Sequence, residues 1–234
     1  MNEVFIVGGV RTPFGRYRGA LGGVRPDDLL ALTIRGALSE TRLPAEAVDE
    51  VIVGCANQAG EDNRNVARMG LLLAGLPVSV PGYTVNRLCA SGLTAITSAY
   101  LQIVGQESDV VLAGGVESMS RAPWVTARPI KAFSSPTETA DSALGWRFIN
   151  PEMAQVDEGN ATVSLGETAE RVAELSGISR QRSDAFAVRS HERAVAAQEQ
   201  GDFDSEISFI LKCKKNNSLT FLLMLIQHQM QVHL

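Results

Sequence analysis

Cysteine is scarce in this 234-residue chain: there are three, at positions 55, 89 and 213, an odd number at wide spacing. That excludes a disulfide framework and the paired spacing of a zinc site, and makes a reducing cytoplasm the expected setting. Positive charge is also short. Lys and Arg number 21 against 26 Asp and Glu, a formal net charge of -5, so no basic field is present to hold nucleic acid or anionic lipid. A small-molecule or protein partner is expected instead. Long apolar runs are missing too. The opening Met-Asn-Glu-Val-Phe-Ile-Val has neither a basic n-region nor an extended h-region, so no secretory signal is expected. The apolar stretch from Leu219 to Ile226 is far shorter than the about 20 residues a membrane helix needs. Internal repeats are absent.

Short apolar runs alternate with helical patterns. Val4 to Val7, Val51 to Val53 and Val110 to Ala113 are rich in β-branched residues and each is followed by glycine, which predicts buried strands. Gly8-Gly9 and Gly114-Gly115 read as tight turns, because neither completes the glycine spacing of a nucleotide loop. Between the runs, Pro26 to Glu40 repeats Leu30, Ile34 and Leu38 behind Asp27 and Asp28, an acidic pair suited to the positive end of a helix dipole. Further helices are expected from about Asn65 to Ala74 and from about Ala90 to Val104, the latter with Leu93, Ile96, Tyr100 and Ile103 on its apolar stripe. Strands alternating with helices imply a layered, mostly parallel α/β sheet.

After Met119 the texture changes. Arg121 to Asn150 holds prolines, serines and both tryptophans with no sustained period, an excursion rather than sheet. Two amphipathic helices follow, one opened by the capping box Ser164-x-x-Glu167 and ended near Gly177, the other from Arg180 to Gln200 before Gly201. The expected organisation is an α/β core over 1–118, a helical accessory region over 119–207, and an apolar tail over 208–234. That tail has no Asp or Glu after Glu206 and must pack on something or be non-native sequence.

The chemistry gathers at Val85-Asn86-Arg87-Leu88-Cys89-Ala90-Ser91-Gly92-Leu93, where a cysteine ends an extended segment and starts a helix. Unpaired N–H groups at a helix N-terminus favour thiolate over thiol and could polarise a thioester carbonyl. The small residues at 90 to 92 leave room for a bulky substrate. From the residues alone, Cys89 is either such a nucleophile or a buried core cysteine. Cys55, at a strand end, reads as packing, and His191, among Arg189, Glu192 and Arg193, as part of a solvated helix face.

Asn86 to Gly92, read as NRLCASG, resembles the active-cysteine signature of the thiolases, and Ala113 to Pro123, read as AGGVESMSRAP, resembles that family's second N-terminal signature. Val10 to Gly15, Gly177 to Arg180 and Asp184 to Ala187 are similar to further thiolase segments, so the resemblance spans roughly residues 2 to 207. It implies a layered α/β/α domain, the N-terminal half of a two-copy fold, with a partial helical loop domain. It implies acyl transfer between coenzyme A thioesters with Cys89 as the acyl carrier, acyl-CoA substrates, a homo-oligomer, and no metal or organic cofactor.

Gly54 to Arg68 resembles the branch acting on 3-oxoadipyl-CoA, with acetoacetyl-CoA thiolases close to it. The family's histidine and second cysteine belong to C-terminal motifs that this chain does not carry, which implies a catalytically incomplete chain. A truncated or mis-predicted product, with family sequence fading between Ile207 and Lys215, is therefore expected. Many members have His-Met where this chain has Ser164-Leu165, so no residue is assigned to coenzyme A contact. Two other readings stay open: a β-ketoacyl synthase, which shares the fold type and a cysteine at a helix start, and a non-enzymatic fragment that pairs with full-length thiolase subunits.

Overall fold

The computed structural model describes residues 3–136, 138–208 and 221–228, and separates them into two compact units: the chain up to Pro123 together with the part from Glu206 on, and Trp124–Ser205.

The first unit is built on a five-stranded mixed sheet. Its strands are β1 (Val4–Thr12), β2 (Glu50–Gly54), β3 (Gly82–Val85), β4 (Val110–Gly115) and, from the chain's last part, Phe221–His228. The order is β1, the Phe221–His228 strand, β4, β2, β3. β2 runs parallel to both β3 and β4, whereas Phe221–His228 pairs antiparallel with β1 on one side and β4 on the other. The described part of the apolar stretch expected to need packing, from Phe221 on, thus forms an inner strand. Its backbone groups are paired on both sides, which is how a short apolar segment escapes edge-to-edge aggregation.

Alternation along β2 and β4 sends side chains to opposite faces and divides the core in two. On one face, Val51, Val53 and Leu112 pack with Leu29, Leu30 and Ile34 of α1 (Pro26–Thr41) and with Val66, Ala67 and Leu71 of α2 (Val66–Ala74). On the other, Ile52, Val111 and Ala113 pack with Ala95, Ala99 and Ile103 of α3 (Ser91–Val104). Three layers result, helix on sheet on helix, as the fold expectation required.

The apolar stripe expected on α3 is corrected in part: Ile103 is buried and Ile96 packs against the same cluster, but its other two members face outward. Leu93 is 65 % exposed and Tyr100 47 %, while Ser91, Ala95, Ala99 and Ile103 form the buried face. Small residues hold that face near the start of α3, where the helix lies close to the sheet. The glycine readings change for the same reason. Gly8-Gly9 lies inside β1 and Gly114-Gly115 inside β4, so neither pair is a tight turn. A Cβ on Gly8 would approach the Thr41 methyl to 2.9 Å. β1 also runs on to Thr12, beyond the expected Val4–Val7, and that opening run is not buried: Phe5, Ile6 and Val7 stay exposed on the edge strand.

The second unit contains a small antiparallel pair, Trp124–Thr126 with Thr139–Asp141, in the segment read as lacking sheet. Three-residue strands carry too little periodicity to be seen in sequence. The two helices are α4 (Leu165–Leu175), whose capping box is present in both directions between Ser164 and Glu167, and α5 (Arg180–Gln200), capped by Ser179 and stopped by Gly201 at a left-handed φ of 77°. Among the described residues no helix is long and apolar enough to cross a membrane.

Candidate active site

Cys89 sits at the turn from the edge strand β3 into α3, and it is exposed, which removes the core-cysteine alternative. Polar side chains and backbone close the turn from within. The Arg87 N–H donates to Ser91 Oγ at 2.8 Å, and that hydroxyl donates to the Leu88 carbonyl at 2.6 Å. Ala90 and Ser91 N–H groups donate to the carbonyls of Arg87 and Leu88. Those two donors are therefore spent on the turn rather than left open, and the helix proper begins at Ser91 with Ala90 as its cap residue.

Leu88 adopts a left-handed conformation, φ 49°, unusual for a branched apolar residue. Its N–H donates to Asn86 Oδ1 at 2.9 Å, and Asn86 Nδ2 in turn donates to the Ala56 carbonyl at 2.8 Å. The turn is thereby fastened to the loop that follows β2.

Two glycines let the layers meet beneath it. A Cβ on Gly54 would come closer than 3.0 Å to the backbone of Ser91 and Gly92, and one on Gly115 would lie 3.6 Å from Gly92 Cα. The carboxyl ends of the parallel strands β2 and β4 thus abut the start of α3. Such strand ends are where open α/β sheets form their crevices.

Cys55 was read as packing, and it is indeed 1 % exposed, but its neighbours are acids. Its thiol lies 3.7 Å from Asp62 Oδ2, and one ligand-type atom each from Cys55, Asp62 and Glu117 falls within 4.8 Å of the others. Burial, then the charges of Glu117 and Asp62, push the Cys55 thiol far up. A thiol held protonated is a poor metal ligand, and the Glu117 carboxylate is already turned to the backbone, accepting the Ala56 N–H at 2.8 Å and the Asn57 N–H at 3.4 Å. Burial is also the main reason that Glu117 itself is raised above its ordinary carboxylate value. Sequence reasoning missed both acids. For Glu117 the available signal was an acid two residues past the apolar strand Val110–Gly115.

A second acid of the same loop, Glu61, is bound by Arg121 and, at 3.1 Å, by Arg25. The hydrogen bond from Arg121 holds its carboxyl below the ordinary value. In the other unit, Ser164 is occupied as the cap of α4, Leu165 is 77 % exposed, and His191 is exposed on α5. Cys213 and His233 lie outside the described residues.

Among the described residues the exposed Cys89 stands at a strand-to-helix turn of a three-layered α/β domain, over the carboxyl ends of parallel strands, which is the arrangement of the thiolase-like α/β class. The chain belongs to the thiolase family: the profile described as "Thiolase, N-terminal domain" matches residues 4–222. Likeness to the family therefore continues past 207–215, where fading was expected, and the β-ketoacyl synthase alternative gives way. A beta-ketoadipyl-CoA thiolase of Escherichia coli is 56% identical over 217 residues, covering 92% of this chain and 53% of that protein. One from Pseudomonas putida is 52% identical over 213 residues, 88% of this chain and 51% of that protein. The crystal structure of the Bacillus anthracis acetyl-CoA acetyltransferase superposes with a TM-score of 0.82 at 28% identity, covering 98% of this chain and 66% of that one. The chain spans about half the length of the curated relatives it matches.

Proposed function

We propose that this chain supplies the nucleophilic half of a thiolase-type acyltransferase, with Cys89 as the acyl carrier. The observation that carries the reading is the exposed Cys89 on a turn built by its own signature residues, in a chain of this family. In the first half-reaction the Cys89 sulfur bonds to the acyl carbonyl carbon of an acyl-CoA, the carbon–sulfur bond to coenzyme A breaks, and the thiol proton ends on the departing coenzyme A thiolate. The second half-reaction passes the acyl group to another thioester or, in reverse, to free coenzyme A. Two exchanges between thioesters keep the acyl group activated throughout, which suits sulfur better than a serine oxygen. No metal or organic cofactor is required.

Similarity to the beta-ketoadipyl-CoA thiolases supports a 3-oxoacyl-CoA substrate of the 3-oxoadipyl type, used in a degradation of aromatic acids. By the family resemblance, a histidine and a second cysteine complete the site from C-terminal motifs. General acid and base steps are each worth about 10² to 10⁴ in rate, so the chain alone carries out the first half-reaction at most. The open edge of β3 and the exposed Leu93, Tyr100 and Leu101 on α3 favour association with a second thiolase subunit, which is also the form a non-catalytic pairing role would take.

Mass spectrometry of the chain after incubation with acetyl-CoA tests the reading. An acyl group mapped to Cys89 in the wild type and lost in Cys89→Ser is the expected result; an unmodified Cys89 would sink the acyl-carrier assignment.

A further inference from the structure

We propose that Glu117 is a positioning residue for Cys89, acting through the loop after β2 and the Asn86 carboxamide. The inference rests on Cys89 being the acyl carrier and names the group that sets its geometry from below.

The connection is a continuous series of hydrogen bonds within one unit. Glu117 lies two residues past β4 and is held at the strand's carboxyl end, where the intervening Val116 N–H donates to the Gly54 carbonyl at 2.9 Å. Its carboxylate takes the Ala56 and Asn57 N–H groups, so residues 56 and 57 turn their amides inward to it. The peptide that turns an N–H one way leaves the Ala56 carbonyl to receive Asn86 Nδ2 at 2.8 Å. With its amide nitrogen so fixed, Asn86 aims Oδ1 at the Leu88 N–H, 2.9 Å away. That contact supports the left-handed Leu88, one residue before the nucleophile.

Each link is one that a shift of an ångström would break. A non-glycine residue at positive φ persists only where its surroundings over-determine it, and Asn86 is the side chain that meets its N–H. Without Glu117 the Ala56 and Asn57 N–H groups lose this acceptor, the Ala56 carbonyl is less firmly oriented, and Asn86 is anchored less well. Cys89 then spends less time aligned at the start of α3.

Reach, rather than charge, is the property this role requires. Burial and the neighbouring Asp62 raise Glu117, so the site tolerates a neutral acceptor, and Cys55 and Asp62 are the titratable groups that face it. Glutamine keeps the length and one acceptor oxygen. Aspartate keeps the charge but is one methylene short.

The test measures alkylation of Cys89 by iodoacetamide in the folded full chain, followed by mass mapping of that peptide and accompanied by thermal denaturation. Glu117→Ala and Glu117→Asp are expected to slow labelling about fivefold, and Glu117→Gln to stay within about twofold of wild type. Asn86→Ala should slow it as much as Glu117→Ala does. The double variant should be no slower than either single, as for two links in one series. A purely structural role predicts no slowing, since Cys89 is already exposed and a loosened fold labels it as fast or faster; that result overturns the proposal. Should Glu117→Ala not fold, the contrast of Asp against Gln decides alone, and equal rates for the two overturn it. Acylation by acetyl-CoA, read on the wild type in parallel, reports separately on the acyl-carrier reading: alkylation does not depend on it.

Discussion

Gly54, the last residue of β2, lies directly beneath Ser91, the first residue of α3, so closely that a Cβ at position 54 would fall inside contact distance of the Ser91 backbone. Backbone cannot move aside as a flexible side chain can. Gly54→Ala is therefore expected to destabilise the fold by about 3 kcal/mol, at the upper end of overpacking costs, and to disturb the Cys89 turn along with it. Urea denaturation gives the first quantity. A Gly54→Ala protein as stable as wild type would show that the layers are not in contact here.

The buried face of α3 predicts a contrast between two apolar residues of one helix. Ile103→Ala removes a fully buried side chain packed on Ile52 and Val111 and is expected to cost about 3 kcal/mol. Leu93→Ala, at a position 65 % exposed, is expected to cost under about 0.5 kcal/mol. Equal losses would restore the stripe read from the sequence.

Asn65 fastens α2 to the strand that leads to Cys89. Its Oδ1 accepts the Arg68 N–H at 3.2 Å as the helix cap and also the Thr84 hydroxyl at 3.0 Å, while Nδ2 donates to the Gly82 carbonyl at 2.8 Å. Asn65→Ala leaves these partners unsatisfied at once and is expected to cost about 2 kcal/mol. Asn65→Asp keeps the cap and loses only the donor, so it should fall between. Thermal denaturation of the three proteins orders them.

Acid reveals the Arg121–Glu61 pair. The folded carboxyl of Glu61 is held below its ordinary 4.5, so the stability it contributes is present above that value and is lost as pH falls through the lowered one. Arg121→Ala is expected to lie below wild type by under about 1 kcal/mol at neutral pH, because the pair is partly exposed. The difference should close on acidification below 4.5. Melting temperatures across that range check it, and a gap that stays constant with pH would assign the loss to packing instead.

Most helices were legible because their ends carry local chemistry. Asn65, Ser164, Ser179 and Gly201 cap or stop their helices through hydrogen bonds to residues three or four positions away, a distance that sequence spacing encodes directly. Three strand cores were legible as β-branched runs for the same local reason. The apolar stretch near the end was visible but not its place, since pairing with Val4–Thr12 and Val110–Gly115 joins segments separated by more than a hundred residues.

By itself the sequence determined the family, the alternation of strand and helix, and the cysteine at the turn, all of which rest on neighbours within a few residues. Only the tertiary structure decided which face of α3 is buried, why glycines stand in β1 and β4, and that Glu117 lies against the loop that holds Asn86. These depend on how near two layers come. Close approach selects the absence of a side chain, and burial turns an acid inward to backbone N–H groups; neither leaves a periodic mark along the chain.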